Sequence, residues 1–173
     1  LQYLSSWDTH NVVQMGSMFQ SCTSLSDISA LRNWDTSAVE HMSGIFEDCH
    51  SLIDPSAIYH WNLPNISSMV DTFRNSAITK FDFSLIQNLT DIILASTFYS
   101  CLNLTVCDLG YGVSKLESDR ILGKYYGVFG YCSQLNTLVI RRTLSIVEGP
   151  STAGGFDSVF ISTRLKSNSG KVY

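Results

Sequence analysis

Apolar side chains return along the chain at a fixed interval. Trp7, Met15, Phe19, Cys22 and Leu25 recur as Trp34, Met42, Phe46, Cys49 and Leu52, each displaced by 27 residues. Trp61, Met69 and Phe73 keep that displacement, with Ser76 at the Cys position and Ile78 near the Leu position. Two later copies, "LASTFYSCLNL" and "YYGVFGYCSQL", retain Phe98, Cys101 and Leu104, then Phe129, Cys132 and Leu135. Their Phe-to-Phe spacings of 25 and 31 show that the unit tolerates insertions. A period of this length marks a stacked repeat, in which no unit buries its apolar faces without its neighbours.

Within each unit two local patterns alternate. After the Cys position, apolar residues fall three and then two apart, the leucine-rich-repeat strand spacing. The inward sets are Leu25, Ile28 and Ala30; Leu52, Pro55 and Ala57; Ile78, Phe81 and Phe83; Leu104, Cys107 and Leu109; Leu135, Leu138 and Ile140. Pro55 cannot donate to a ladder, so its strand is expected to be irregular. Between the Trp and Cys positions, Val39, Met42 and Phe46 form one stripe at helical spacing. Ser37 and Glu40 fit a capping box, and Asp35 suits the positive end of a short helix. The pattern thus predicts an α/β repeat: a right-handed leucine-rich-repeat solenoid of short strands and short helices. Residues 1–140 form about five repeats of 25–31 residues. Residues 141–173 are β-rich around a Gly/Pro/Ser loop and form a closing segment of the same domain.

The cadence is carried by Trp7-Asp8-Thr9 with Met15, Met18, Phe19, Cys22 and Leu25. It returns in Trp34-Asp35-Thr36-Ser37 with Met42, Phe46, Cys49 and Leu52. This resembles the BspA-like leucine-rich-repeat surface proteins over residues 1 to about 140. Asn62-Leu63 and Ser76 depart from it in the third unit, and the last two units lack the Trp-Asp signature. The resemblance implies a bacterial cell-surface or secreted protein that adheres to host or microbial partners.

Composition fits a folded chain: 45% of the 173 residues are hydrophobic and 15% charged. Residues 1–75 hold eight acidic and two basic side chains, against seven acidic and nine basic in residues 76–173. Neither half has the dense Lys/Arg patch of a nucleic-acid binder. No run reaches the length of a membrane span, and no signal-peptide pattern opens the chain. The chain starts on "LQYLSSW" in mid-pattern and stops at "KVY" in a strand-like run, as if cut from a longer protein.

Reactive residue types are explained by the repeat. Cys22, Cys49, Cys101 and Cys132 share one repeat position and are expected as a reduced column of small buried side chains. Cys107, on an inward strand position, leaves a Cys101–Cys107 disulfide open but not favoured. His41, Cys49, His50 and His60 lack the paired spacing of a zinc site, and Cys49 beside His50 is adjacency only. Asp8, Asp35 and Asn62 could stack as a Ca²⁺ ladder, but capping of local N–H groups accounts for them more simply. No phosphate-binding loop, nucleophile elbow or His-Glu-x-x-His motif occurs, so neither enzyme, cofactor nor metal is expected. The sequons at Asn65, Asn88 and Asn103 matter only in a eukaryotic secretory route.

What remains is surface. Outward strand positions place Asp27, Asp54, Lys80, Val106 and Thr137 in one row, with Ser29, Ser56, Asp82, Asp108 and Val139 in a second. Tyr99, Tyr111, Tyr125, Tyr126 and Tyr131 gather around the longest repeat, and Tyr is enriched at recognition surfaces. The partner-binding candidates are therefore Asp27, Ser29, Asp54, Ser56, Lys80, Asp82, Asp108, Tyr111 and Tyr126. The structural anchors are Trp7, Trp34, Trp61, the five repeat Phe residues and the Cys column. The expected function is a monomeric, non-enzymatic binding module for a protein or glycan. A structural spacer, or a substrate-recruiting appendage of a larger enzyme, is the alternative.

Overall fold

The structure, a computed structural model, describes residues 2–121, 124–147 and 171–172. Most of the expected closing segment therefore lies outside the described residues.

Successive units stack through the arc between the Met and Cys positions. Met15, Ser17, Phe19 and Ser21 donate their N–H groups to the carbonyls of His41, Ser43, Ile45 and Glu47 at 2.8–3.0 Å. The N–H groups between them turn inward along the chain: Met18, Gln20 and Cys22 donate to Met15, Ser17 and Phe19. Gly44, Phe46 and Asp48 repeat the first pattern onto Val70, Thr72 and Arg74. Asp71, Phe73 and Asn75 repeat it onto Ala95, Thr97 and Tyr99. Every second backbone donor thus joins neighbouring units, and the donors in between close local turns.

This arrangement overturns the expected solenoid of short strands and short helices. No α-helix occurs among the described residues; the helical pieces are 3₁₀ turns at Gln2–Ser6, Ser29–Leu31, Ser56–His60 and Phe83–Leu85. The reason lies in two columns of left-handed residues. Ser17, Gly44, Asp71 and Ser96 have φ of 56°, 63°, 52° and 52°. Ser21, Asp48, Asn75, Ser100 and Tyr131, each just before the Cys position, have φ of 55–61°. Two such residues four apart break any right-handed helix between them, whatever its apolar stripe.

The strand expectation fails in the first two units and holds later. Asp27 and Asp54 accept the N–H groups of Ser29 and Ser56 at 2.8 and 2.9 Å, closing turns where strands were expected. One parallel sheet orders β1 (Lys80–Asp82), β3 (Val106–Asp108), β6 (Thr137–Val139) and β8 (Lys171–Val172). Its register aligns Lys80 with Val106 and Thr137, and Asp82 with Asp108 and Val139. A second small sheet pairs β4 (Val113–Ile121) in parallel with β2 (Ile92–Ala95) and β7 (Ser145–Val147). The far half of β4 folds back on β5 (Lys124–Gly127) as an antiparallel hairpin, which takes up the insertion of the longest unit.

The core follows the repeat more faithfully than the elements do. Phe19, Phe46, Phe73, Phe98 and Phe129 form a column with centroids 5.5–5.8 Å apart and planes within 11° of parallel. Trp7, Trp34 and Trp61 form a second column at 6.0 and 6.4 Å. The indole N–H groups of Trp34 and Trp61 reach back one unit to the carbonyls of Leu4 and Leu31. Of the inward strand set, Leu25, Ala30 and Ile140 are half-buried and the other twelve are buried.

The Cys column is reduced, and none of the five cysteines is in a disulfide. The thiols of Cys49, Cys101 and Cys132 donate to the carbonyls of Phe19, Phe73 and Phe98, the Phe of the preceding unit, at 2.9–3.2 Å. Cys22 departs from the expected burial, as does Trp7: both lie on the exposed face of the first unit.

Candidate functional site

The face that carries the outward rows is built from Asx turns. Asp27, Asp54, Asp82 and Asp108 each accept, through Oδ1, the N–H two residues ahead, at 2.8–2.9 Å. Aspartate suits this position because its short carboxylate closes a turn on its own backbone. Asp8 and Asp35, in the Trp-Asp-Thr column, act in the same way on His10 and Ser37. Asp8 and Asp35 thus tie turns locally, whereas the Asn62 side chain accepts from Asn88 Nδ2, one unit on, at 2.7 Å. Among the described residues no group of three or more His, Cys, Asp or Glu side chains could hold a metal ion.

Three depressions run along this face and share residues. The first, of 510 Å³, is lined by Ser24, Ser26, Asp27 and Ser29. The second, of 310 Å³, includes Asp27, Ser29, Arg32, Asp54 and Ser56. The third, of 420 Å³, has Asp54, Lys80, Asp82 and Asp108 around Ile53, Tyr59, Val106 and Val139. Asp27 and Ser29 join the first two, and Asp54 joins the second to the third. The result is a groove across successive units, serine-lined at one end and apolar at the other. The first depression is the largest, but it lies at the exposed first unit and is mostly hydroxyl-lined. The third combines apolar area with charge and is the better binding site.

Seven of the nine candidate residues therefore fall along one groove, in different states. Asp27, Asp54 and Lys80 are exposed, and Asp82 is half-buried. Asp108 is only 8% exposed, because Arg141 covers it. The guanidinium engages both carboxylate oxygens, Nε to Oδ1 at 2.9 Å and Nη2 to Oδ2 at 2.5 Å. Burial pushes the Asp108 carboxyl up, but Arg141 and the Gly110 N–H outweigh it and hold it below the ordinary range. The Ser29 amide, then its hydroxyl, hold Asp27 low as well. Tyr59 accepts the Asp82 N–H at 3.2 Å, and burial pushes its phenol up to about 12, so it stays a neutral hydroxyl in the groove wall.

Tyr111 does not line this groove. Tyr111 is 68% exposed, and its carbonyl accepts from Arg142, which also binds Asp91 at 2.9 Å. The backbone of Tyr126 is in register with Asp119 in the β4–β5 hairpin. Sequence reasoning missed Ile53, Tyr59 and Arg141. Ile53 carried a usable signal, since an apolar residue there sits out of phase with inward Leu52 and is 57% exposed.

The four buried cysteines are not poised for thiol chemistry. Burial pushes the thiols of Cys49 and Cys101 up to about 12, and those of Cys107 and Cys132 well above the ordinary value. That is the direction away from a reactive thiolate. No helix among the described residues is long and apolar enough to cross a membrane.

Residues 1–85 match the model of a family described as a Mycoplasma protein of unknown function, DUF285. No curated protein and no solved structure matches the chain.

Proposed function

We propose that this chain is a non-enzymatic recognition module, monomeric, that binds a protein or glycan partner along the Asp27–Asp54–Asp82 groove. The observation that carries the reading is the continuity of three depressions across successive units, ending in an apolar patch rimmed by Asp54, Lys80 and Asp82. Repeat stacks bind through extended surfaces of this kind. Burial of Cys49, Cys101, Cys107 and Cys132, which raises their thiols, supports a packing role for these four side chains. The resemblance to BspA-like surface proteins suggests a cell-surface or secreted bacterial setting and a role in adhesion. The family match over residues 1–85 is compatible with it, since BspA-like repeat proteins are related to that family.

The groove carboxylates also serve the fold, since Asp54 and Asp82 accept the N–H groups of Ser56 and Ser84. A clean test keeps the turns and changes the surface. Asp54→Asn and Asp82→Asn retain an oxygen for the backbone N–H, and Ile53→Glu alters an exposed side chain. Wild type and the triple variant are screened on immobilised extracellular-matrix proteins and a glycan array. Ligands retained by wild type and lost by the variant at equal unfolding midpoint support the groove. Binding unaffected by all three changes refutes it, and no binding to either panel favours the spacer.

A further inference from the structure

The two ends of the groove differ chemically, and the difference points to a class of partner. In the third depression the accessible apolar groups are aliphatic. Ile53 is exposed, Val106 and Val139 are half-buried, and the Phe81 ring is buried. An aliphatic side chain gains most by covering such a surface.

The rim shared with the second depression is acidic. Asp54 and Asp82 close their turns through Oδ1, and their Oδ2 atoms accept no hydrogen bond among the described residues. Asp108, by contrast, is engaged by Arg141. Along the groove, Asp27, Asp54 and Asp82 thus outnumber the cations Arg32 and Lys80. The surrounding units deepen the imbalance, with eight acidic and two basic side chains in residues 1–75. A guanidinium or ammonium group finds charge-assisted acceptors here. Tyr59 accepts the Asp82 N–H, and its own O–H is available to donate to a backbone carbonyl.

We infer that the groove takes an extended polypeptide segment in which a basic residue lies two positions from an aliphatic one. The inference rests on the groove reading above and narrows its partner from protein or glycan to protein. Neighbouring units on this face are about 5 Å apart, so Asp54 and the aliphatic floor are separated by about 5–10 Å. Two residues of extended chain span about 7 Å and return both side chains to one face. A neutral saccharide offers neither the cation nor the aliphatic side chain.

The test titrates fluorescein-labelled peptides with the full chain and reads their anisotropy. The probe, Gly-Ser-Arg-Ser-Leu-Ser-Arg-Ser-Gly, presents the spacing in both chain directions. One control replaces both Arg by Glu, and the other replaces Leu by Ser. The probe is expected to bind at least about tenfold tighter than either control, with its margin over the Glu peptide shrinking in high salt. Asp54→Asn with Asp82→Asn is expected to remove the preference over the Glu peptide, and Ile53→Ser the preference over the Ser peptide. Equal affinities for the three peptides, no measurable binding of any, or preferences that survive both variants overturn the inference. A glycan held in the groove while no peptide binds also overturns it, and leaves the groove reading intact. That reading fails separately, when every ligand from the matrix-protein and glycan screen is unaffected by the triple variant.

Discussion

Truncating the middle of the Phe column tests the packing account quantitatively. Phe73 is fully buried and meets three rings, Phe46 at 5.8 Å, Phe98 at 5.8 Å and Phe81 at 5.0 Å. Phe19, at the exposed end, is 8% exposed and meets two, Phe46 at 5.6 Å and Trp34 at 6.3 Å. Loss of a buried Phe side chain costs about 3–5 kcal/mol through transfer and cavity terms. Each well-placed aromatic pair adds about 0.5–1.5 kcal/mol. Phe73 sits between two units that cannot both close on the gap, so Phe73→Ala belongs at the upper limit, about 5 kcal/mol. Phe19→Ala leaves a space open to water on one side and belongs at the lower limit, about 3 kcal/mol. Urea unfolding followed by circular dichroism measures both, with the slope as a check that the transition stays cooperative. A domain of this size has a total stability of about 5–15 kcal/mol, so Phe73→Ala is expected to leave the fold marginal. A Phe73→Ala loss under about 2 kcal/mol, or one smaller than that of Phe19→Ala, refutes the column as the main source of cohesion.

Thiol labelling of the native protein is expected to modify Cys22 at once, and Cys49, Cys101, Cys107 and Cys132 only on unfolding; mass spectrometry of digests locates the label. Replacing Asp54 by Ala removes the oxygen that holds the Ser56 N–H and is expected to cost about 1 kcal/mol, with Asp54→Asn near wild type. Ser21 is exposed with φ of 59°. Ser21→Gly is therefore expected to stabilise by up to about 1 kcal/mol, and Ser21→Val to destabilise, in the same urea assay. Asp108 has a lowered carboxyl in the folded state, so its contribution is present above the unfolded aspartate value, about 3.9, and is lost as pH falls through the folded value. Arg141→Met is expected to lower stability at neutral pH and flatten that acid limb, read from unfolding midpoints against pH.

The 27-residue cadence made the core legible: it named the Phe, Trp and Cys columns and most inward strand positions. It misread the backbone because Val39, Met42 and Phe46 share a stripe that a helix would also produce. The contrary signal was in the polar residues, where Ser, Gly, Asp and Asn recur four apart at the left-handed positions. Asn, Asp and Gly tolerate that conformation better than most residues. The outward rows were legible in register from Lys80 onward, because strand alternation does hold there. The role of the Asp column was not, since a carboxylate on a strand face and one closing an Asx turn look alike in sequence. Arg141 and Asp108 lie 33 residues apart, and no local pattern joins them.

The measurement that bears most directly on the groove is a comparison of two variant pairs against the strongest ligand from the matrix-protein and glycan screen. One pair is Asp54→Asn with Asp82→Asn; the other is Tyr111→Ser with Tyr126→Ser. Affinity by titration calorimetry is read beside the unfolding midpoint of each. The account predicts at least a tenfold weaker affinity for the Asp pair, with the Tyr pair and both midpoints near wild type. Full affinity in the Asp pair with loss in the Tyr pair contradicts it and places recognition at the tyrosines of the longest unit.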